Sequence, residues 1–195
     1  MLIIFYFYLS IIFLCFLLSV YNKIARQRKF WIYFLLVFCF EVCRYIKLIS
    51  YELYQLSFLF YIPFFIYVFS EEQSNKIIYV FLLLIALLCS INIYTSNGNV
   101  QIQSGVLMSF IYIILAILWL FYQLKKVDSI PIVKKQLFWI STSILLIGII
   151  SIFKLIPMYY FRSADEEFLI FTKKIYQYSL ISCYLFFFKG LICKK

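Results

Sequence analysis

The first twenty residues, Met1 to Val20, contain no charged side chain, and the runs Ile77 to Ile91 and Gly105 to Tyr122 are equally free of charge. About 20 helical residues, at 1.5 Å of rise each, cross a hydrocarbon layer of about 30 Å. The runs are separated by short polar patches and lack the periodicity of an amphipathic core helix. With 66% of its 195 residues hydrophobic and 13% charged, the chain has too little charge to cover a water-facing surface. These features predict an all-α, polytopic membrane protein in a single integral domain.

Seven spans are expected, at about 2–20, 30–46, 53–69, 77–93, 105–124, 137–157 and 175–192. The third is the most polar in pattern, with Gln55, Ser57 and Pro63. Seven crossings place the two termini on opposite sides, so basic residues can orient the chain. With the N-terminus outside and the C-terminus cytoplasmic, the inner segments hold twelve: Lys23, Arg26, Arg28, Lys29, Lys76, Lys125, Lys126, Lys134, Lys135, Lys189, Lys194 and Lys195. The outer segments hold Arg44, Lys47, Arg162, Lys173 and Lys174, and Lys154 lies within the sixth span. Trp31, Trp119 and Trp139 all fall near inner helix ends, where indole suits the headgroup boundary. Met1 to Val20 lacks a positive leader and a small-residue cleavage site, so it is read as a retained first span. The loops are short, and the expected location is the inner (cytoplasmic) membrane, crossed several times.

The net charge of +10 is explained by cytoplasmic loops facing anionic lipid or an acidic protein, and no direct nucleic-acid binding is expected. Six cysteines lie within or at the ends of apolar runs, which argues for packing residues instead of a disulfide framework. The chain has no histidine, so the commonest acid–base catalyst and metal ligand is missing. No cofactor, metal or catalytic residue is assigned. A Schiff-base lysine deep in the last span, a Pro-Gln pair, Asp-Arg-Tyr, Asn-Pro-x-x-Tyr, HExxH, GxSxG and a phosphate loop are all lacking.

The candidate site is a buried polar centre of Glu41, Arg44 and Lys154. Glu41 lies about 16 Å along the second span and Arg44 one turn beyond it. Their i, i+3 spacing permits pairing. Lys154 lies about 24 Å along the sixth span, which runs in the same direction, and is a second cation for Glu41 if those helices meet. Charge at a helix centre costs roughly 2.5–3.5 kcal/mol in a membrane unless paired or neutralised. The two readings, a ligand, proton or switch site and a register-fixing ion pair, are evenly matched. Ser141, Thr142, Ser143, Gly148 and Ser151 read as a helix-packing face. Asp165, Glu166 and Glu167 read as a solvated acidic face in the outer loop.

The stretch Gln136-Leu137-Phe138-Trp139-Ile140-Ser141, followed by Ile144-Leu145-Leu146, resembles a segment of a family of small bacterial seven-helix membrane proteins often encoded beside sensor histidine kinases. The basic first loop, the Tyr/Phe-rich third span and the ending Leu191-Ile192-Cys193-Lys194-Lys195 are similar in style. The chain departs from that pattern at Leu56-Ser57-Phe58, where an acidic residue before Phe is expected. Nearly all polar chemistry lies on the inner face or at one buried centre, and the first reading is therefore a non-enzymatic sensor or regulatory module. The basic loops holding Lys23, Arg26, Arg28, Lys29, Lys125, Lys126, Lys134 and Lys135 would dock a cytoplasmic protein or lipid. Two alternatives stand beside it. One is a membrane accessory of a type VI CRISPR-like antiphage system, which this chain is similar to in size and composition. The other is a small transporter, or an oligomeric channel, that uses Glu41.

Overall fold

A chain surrounded by hydrocarbon must satisfy its backbone polar groups internally, and the helix does this within one segment. The computed structural model describes residues 2–50, 56–72, 76–95, 100–126, 130–160 and 166–193, and the described residues form helices with no strand among them. In chain order these are α1 (Leu2–Tyr21), α2 (Lys23–Gln27), α3 (Phe30–Tyr45), α4 (Phe58–Ser70), α5 (Lys76–Thr95), α6 (Val100–Lys125), α7 (Gln136–Tyr160) and α8 (Glu166–Ile192). A 3-10 turn, Ile132–Lys134, precedes α7. Four helices are long and apolar enough to cross a membrane: α1, α6, α7 and α8.

Each expected span overlaps one helix, and the differences have local causes. The third span is shorter than expected: α4 has 13 residues, about 20 Å of rise, and Pro63 sits inside it without a backbone N–H to donate. Residues 53–55 of that expected span lie outside the described residues. The seventh starts nine residues early, at Glu166, so Lys173 and Lys174 belong to the body of α8 instead of a loop. Glu167 is exposed in the first turn of α8, where a carboxylate suits the positive end of the helix dipole. Asp165 lies outside the described residues. The basic stretch after α1 is itself structured: Asn22 Oδ1 accepts from Ile24 N (3.0 Å) and Ala25 N (3.4 Å) and caps α2.

The helices alternate in direction, so the start of α1 lies with the end of α3, the start of α4 and the end of α7. In packing order α3 meets α1, α1 meets α8, α8 meets α7, and α7 meets α6, with α4 and α5 against α6. The middle of the bundle is aromatic. Tyr33 stacks on Phe64 (centroids 5.3 Å apart), and Phe34 meets Phe187 edge-on at 5.6 Å. Such contacts add about 0.5–1.5 kcal/mol each beyond buried area.

The small and hydroxyl residues of α7 act as a packing face. Ser143 Oγ donates to Cys183 O at 2.7 Å, joining α7 to α8. Gly148 lets α7 approach α6 so closely that a Cβ there would lie 2.9 Å from Ser109 O and 2.9 Å from Ile113 Cγ1. Cys15 and Cys183 are buried and free, as packing residues. Trp119 departs from the expected headgroup role: it is fully buried, a core residue of α6.

Gly148→Ala is expected to lower stability by about 1–3 kcal/mol, because the facing atom is backbone and α6 must move. Gly105→Ala, whose added carbon would meet only the flexible Leu155 side-chain tip at 3.1 Å, should cost less. Thermal unfolding of both variants in one detergent checks the ordering.

Candidate functional site

A chain with so few charges places most of those described near the two ends of its bundle. The cavity end is built from the start of α1, the end of α3, the starts of α4 and α6, the end of α7 and the first half of α8. Together they enclose a cavity of about 610 Å³, within the range that holds small ligands. Glu41, Arg44 and Lys154 all line it, so the three residues of the expected polar centre share one space. Helices α3 and α7 both line this cavity. Glu41 sits one turn before the end of α3, nearer the end of the bundle than its middle.

Each charged group is positioned by a neighbour on another helix or by the backbone. Tyr8 Oη, on α1, donates to Glu41 Oε1 at 3.3 Å. Lys154 Nζ lies 4.0 Å from the centroid of the Tyr176 ring of α8, a cation–π contact. Arg44 is exposed at the cavity edge. Beside it, Lys47 adopts a left-handed backbone (φ 57°). Lys47 N donates to Arg44 O (3.1 Å) and Leu48 N to Cys43 O (2.8 Å), closing α3 with the paired bonds of a Schellman cap. Glycine usually holds that position, so a lysine there is fixed at the cavity edge against a backbone preference. Phe5 stacks on Tyr45 at 4.8 Å, and Tyr6 and Tyr45 hydroxyls meet at 3.1 Å, clasping α1 to α3 at the same edge.

Three residues join the centre without an advance signal. Lys173, assigned to a loop by the sequence, lines the cavity from α8. Tyr176 and Gln177, three and four residues on, share its helix face. That spacing becomes readable only once α8 is known to start at Glu166. Gln177 Oε1 is buried at the cavity wall with no hydrogen-bond partner among the described residues, and the buried Ser151 hydroxyl lies beside that of Tyr176.

The opposite end carries the basic loops, and it is tied together by a polar cluster. Arg28 pairs with Glu72 Oε1 and donates from Nη1 to Gln136 Oε1 at 3.1 Å. Trp119 Nε1 donates to the other Glu72 oxygen at 2.9 Å. Asn22 Nδ2 donates to the carbonyls of Leu191 and Cys193, fastening the α1–α2 corner to the end of α8. Of the eight basic residues expected to dock a partner, Arg28 is therefore committed internally, and Lys135 donates to Gln123 Oε1. Lys29 and Lys126 lie over the rings of Tyr67 (5.2 Å) and Tyr122 (5.9 Å). Lys23, Arg26, Lys29, Lys125, Lys126 and Lys134 are exposed. Among the described residues no group of three Cys, Asp or Glu side chains gathers as a metal site.

Compared with known protein families, characterised proteins and solved structures, the chain matches none.

Glu72→Ala is expected to cost about 1–3 kcal/mol, since it strands a half-buried guanidinium and a buried indole N–H together. Trp119 emission during unfolding, isolated in a Trp31→Phe/Trp139→Phe background, reports it. Lys47→Gly should instead raise stability by about 1 kcal/mol by relieving the left-handed backbone, read as a higher Tm.

Proposed function

We propose that this chain is a non-enzymatic sensor or regulatory module of the bacterial inner membrane. In this reading it crosses the membrane seven times, with its N-terminus outside and its C-terminus in the cytoplasm. A small ligand enters the cavity at the outer end, and a cytoplasmic protein docks on the basic inner end. The observation that carries the reading is the division of labour along the helices. A ligand-sized cavity lined by Glu41, Arg44 and Lys154 sits at one end, and exposed Lys23, Arg26, Lys125, Lys126 and Lys134 sit at the other. Helices α1, α3, α6, α7 and α8 reach both ends, so packing at the cavity is mechanically continuous with the docking face.

The basic bias of the inner segments supports the orientation, because positive residues are retained on the cytoplasmic side. The count of seven is supported by α1, α3, α4, α5, α6, α7 and α8 forming one alternating bundle, with the shorter members packed against long ones. The lack of histidine and the burial of Cys15 and Cys183 support a binding role over a catalytic one.

Affinity capture of the detergent-solubilised protein, compared with Lys125→Glu/Lys126→Glu, tests the docking half. A specific cytoplasmic protein held by the native chain and lost from the variant is expected. Identical recovery by both overturns it. A C-terminal fluorescent-protein fusion should glow and a C-terminal alkaline phosphatase fusion should be inactive; the reverse pattern overturns the orientation.

A further inference from the structure

The cavity assigned above as a ligand site has a definite chemical bias. Among the described residues, four cationic side chains line it (Arg44, Lys47, Lys154 and Lys173) against one carboxylate, Glu41. Arg44, Lys47 and Lys173 are exposed and Lys154 is half-buried, and low-dielectric walls focus the field of these cations into the cavity. A buried polar atom, Gln177 Oε1, adds hydrogen-bonding capacity that no described residue uses. The rest of the wall is apolar, from Phe5 and Phe58 to Met108 and Leu180.

We infer that the cavity binds an anionic amphiphile, a phosphate or carboxylate head carrying a short apolar chain. The head lies among Arg44, Lys154 and Lys173, and the chain lies along Phe5, Phe58 and Met108. Lys154 is prepared to hold that head. The Tyr176 ring 4.0 Å away stabilises its charge while occupying only one face of the ammonium, leaving N–H groups to donate. When the head is a singly protonated phosphate, its hydroxyl donates to Gln177 Oε1. An uncharged amphiphile would fill the apolar wall and make no use of the cations that line the cavity. A free inorganic anion would satisfy the cations and leave the apolar wall wet. The inference rests on the cavity being a ligand site and narrows which ligand it takes.

Native mass spectrometry of the protein in a non-ionic detergent, titrated with octyl phosphate, octanoate, octylammonium, octanol and inorganic phosphate, tests it. Octyl phosphate and octanoate should bind at least about tenfold more tightly than octanol or inorganic phosphate. Lys154→Gln should weaken octyl phosphate about tenfold or more, and Lys154→Arg should retain most of the binding. Because Lys173 is exposed, Lys173→Gln leaves the fold intact and should weaken it also. Phosphatidic acid in nanodiscs separates the sources: displacement of octyl phosphate by that lipid identifies the bilayer as supplier, and no displacement identifies a soluble amphiphile. Preferred binding of octylammonium or octanol overturns the anionic assignment while the cavity remains a ligand site. Inorganic phosphate binding as tightly as octyl phosphate overturns the amphiphile. Binding of no probe overturns both the inference and the ligand-site reading beneath it.

Discussion

An ionised side chain inside an apolar bundle needs a counter-charge, a hydrogen bond or access to water, because its desolvation otherwise exceeds what packing returns. This constraint organises the molecule more than any single hydrophobic contact. With 18 basic and 8 acidic residues there are too few carboxylates to pair every cation, so cations find other neighbours. Lys154 lies on the Tyr176 ring and Lys189 on the Trp139 ring at 3.8 Å. Arg28 takes one of the few carboxylates and shares it with an indole. The aromatic richness of the sequence thus serves charge as well as packing.

The two ends resolve the constraint differently. At the basic end, Arg28, Glu72, Trp119 and Gln136 bring together residues far apart in the chain and hold the junctions of α3, α4, α6 and α7. At the other end the helices leave a cavity between them, lined by charged side chains from α3, α7 and α8. One end is closed by hydrogen bonds between side chains. The other opens into the cavity. That contrast gives the bundle a polarity in its chemistry as well as in its charge.

The helical class and the membrane-crossing character are legible in the apolar runs, because those depend on composition along a single segment. So is the packing face of α7, whose small residues carry meaning without a partner in view: Gly148 and Ser143 are where α6 and α8 approach. Glu41, Arg44 and Lys154 stand out because charge in such surroundings is rare, and the fold places all three on one cavity. Lys173 is hidden because α8 extends past the apolar run that marks it. The Arg28–Glu72–Trp119 cluster has no local signal at all, since its members are joined only by tertiary packing. Trp119 misleads for the same reason: its distance from a helix end suits a headgroup anchor, and only the neighbouring Glu72 explains its burial.

The three tryptophans have a practical consequence. Trp31 opens α3, Trp139 opens α7, and Trp119 lies in the last two turns of α6, so all three stand at the basic end and none lines the cavity. From Glu41 to Trp31 the path along α3 is roughly 15 Å. The molecule therefore carries its own spectroscopic observer at the far end from its cavity. Indole emission that changes on filling the cavity has crossed the length of the helices to do so, and Trp119, locked to Glu72, is the chromophore whose surroundings are defined by that distant clasp.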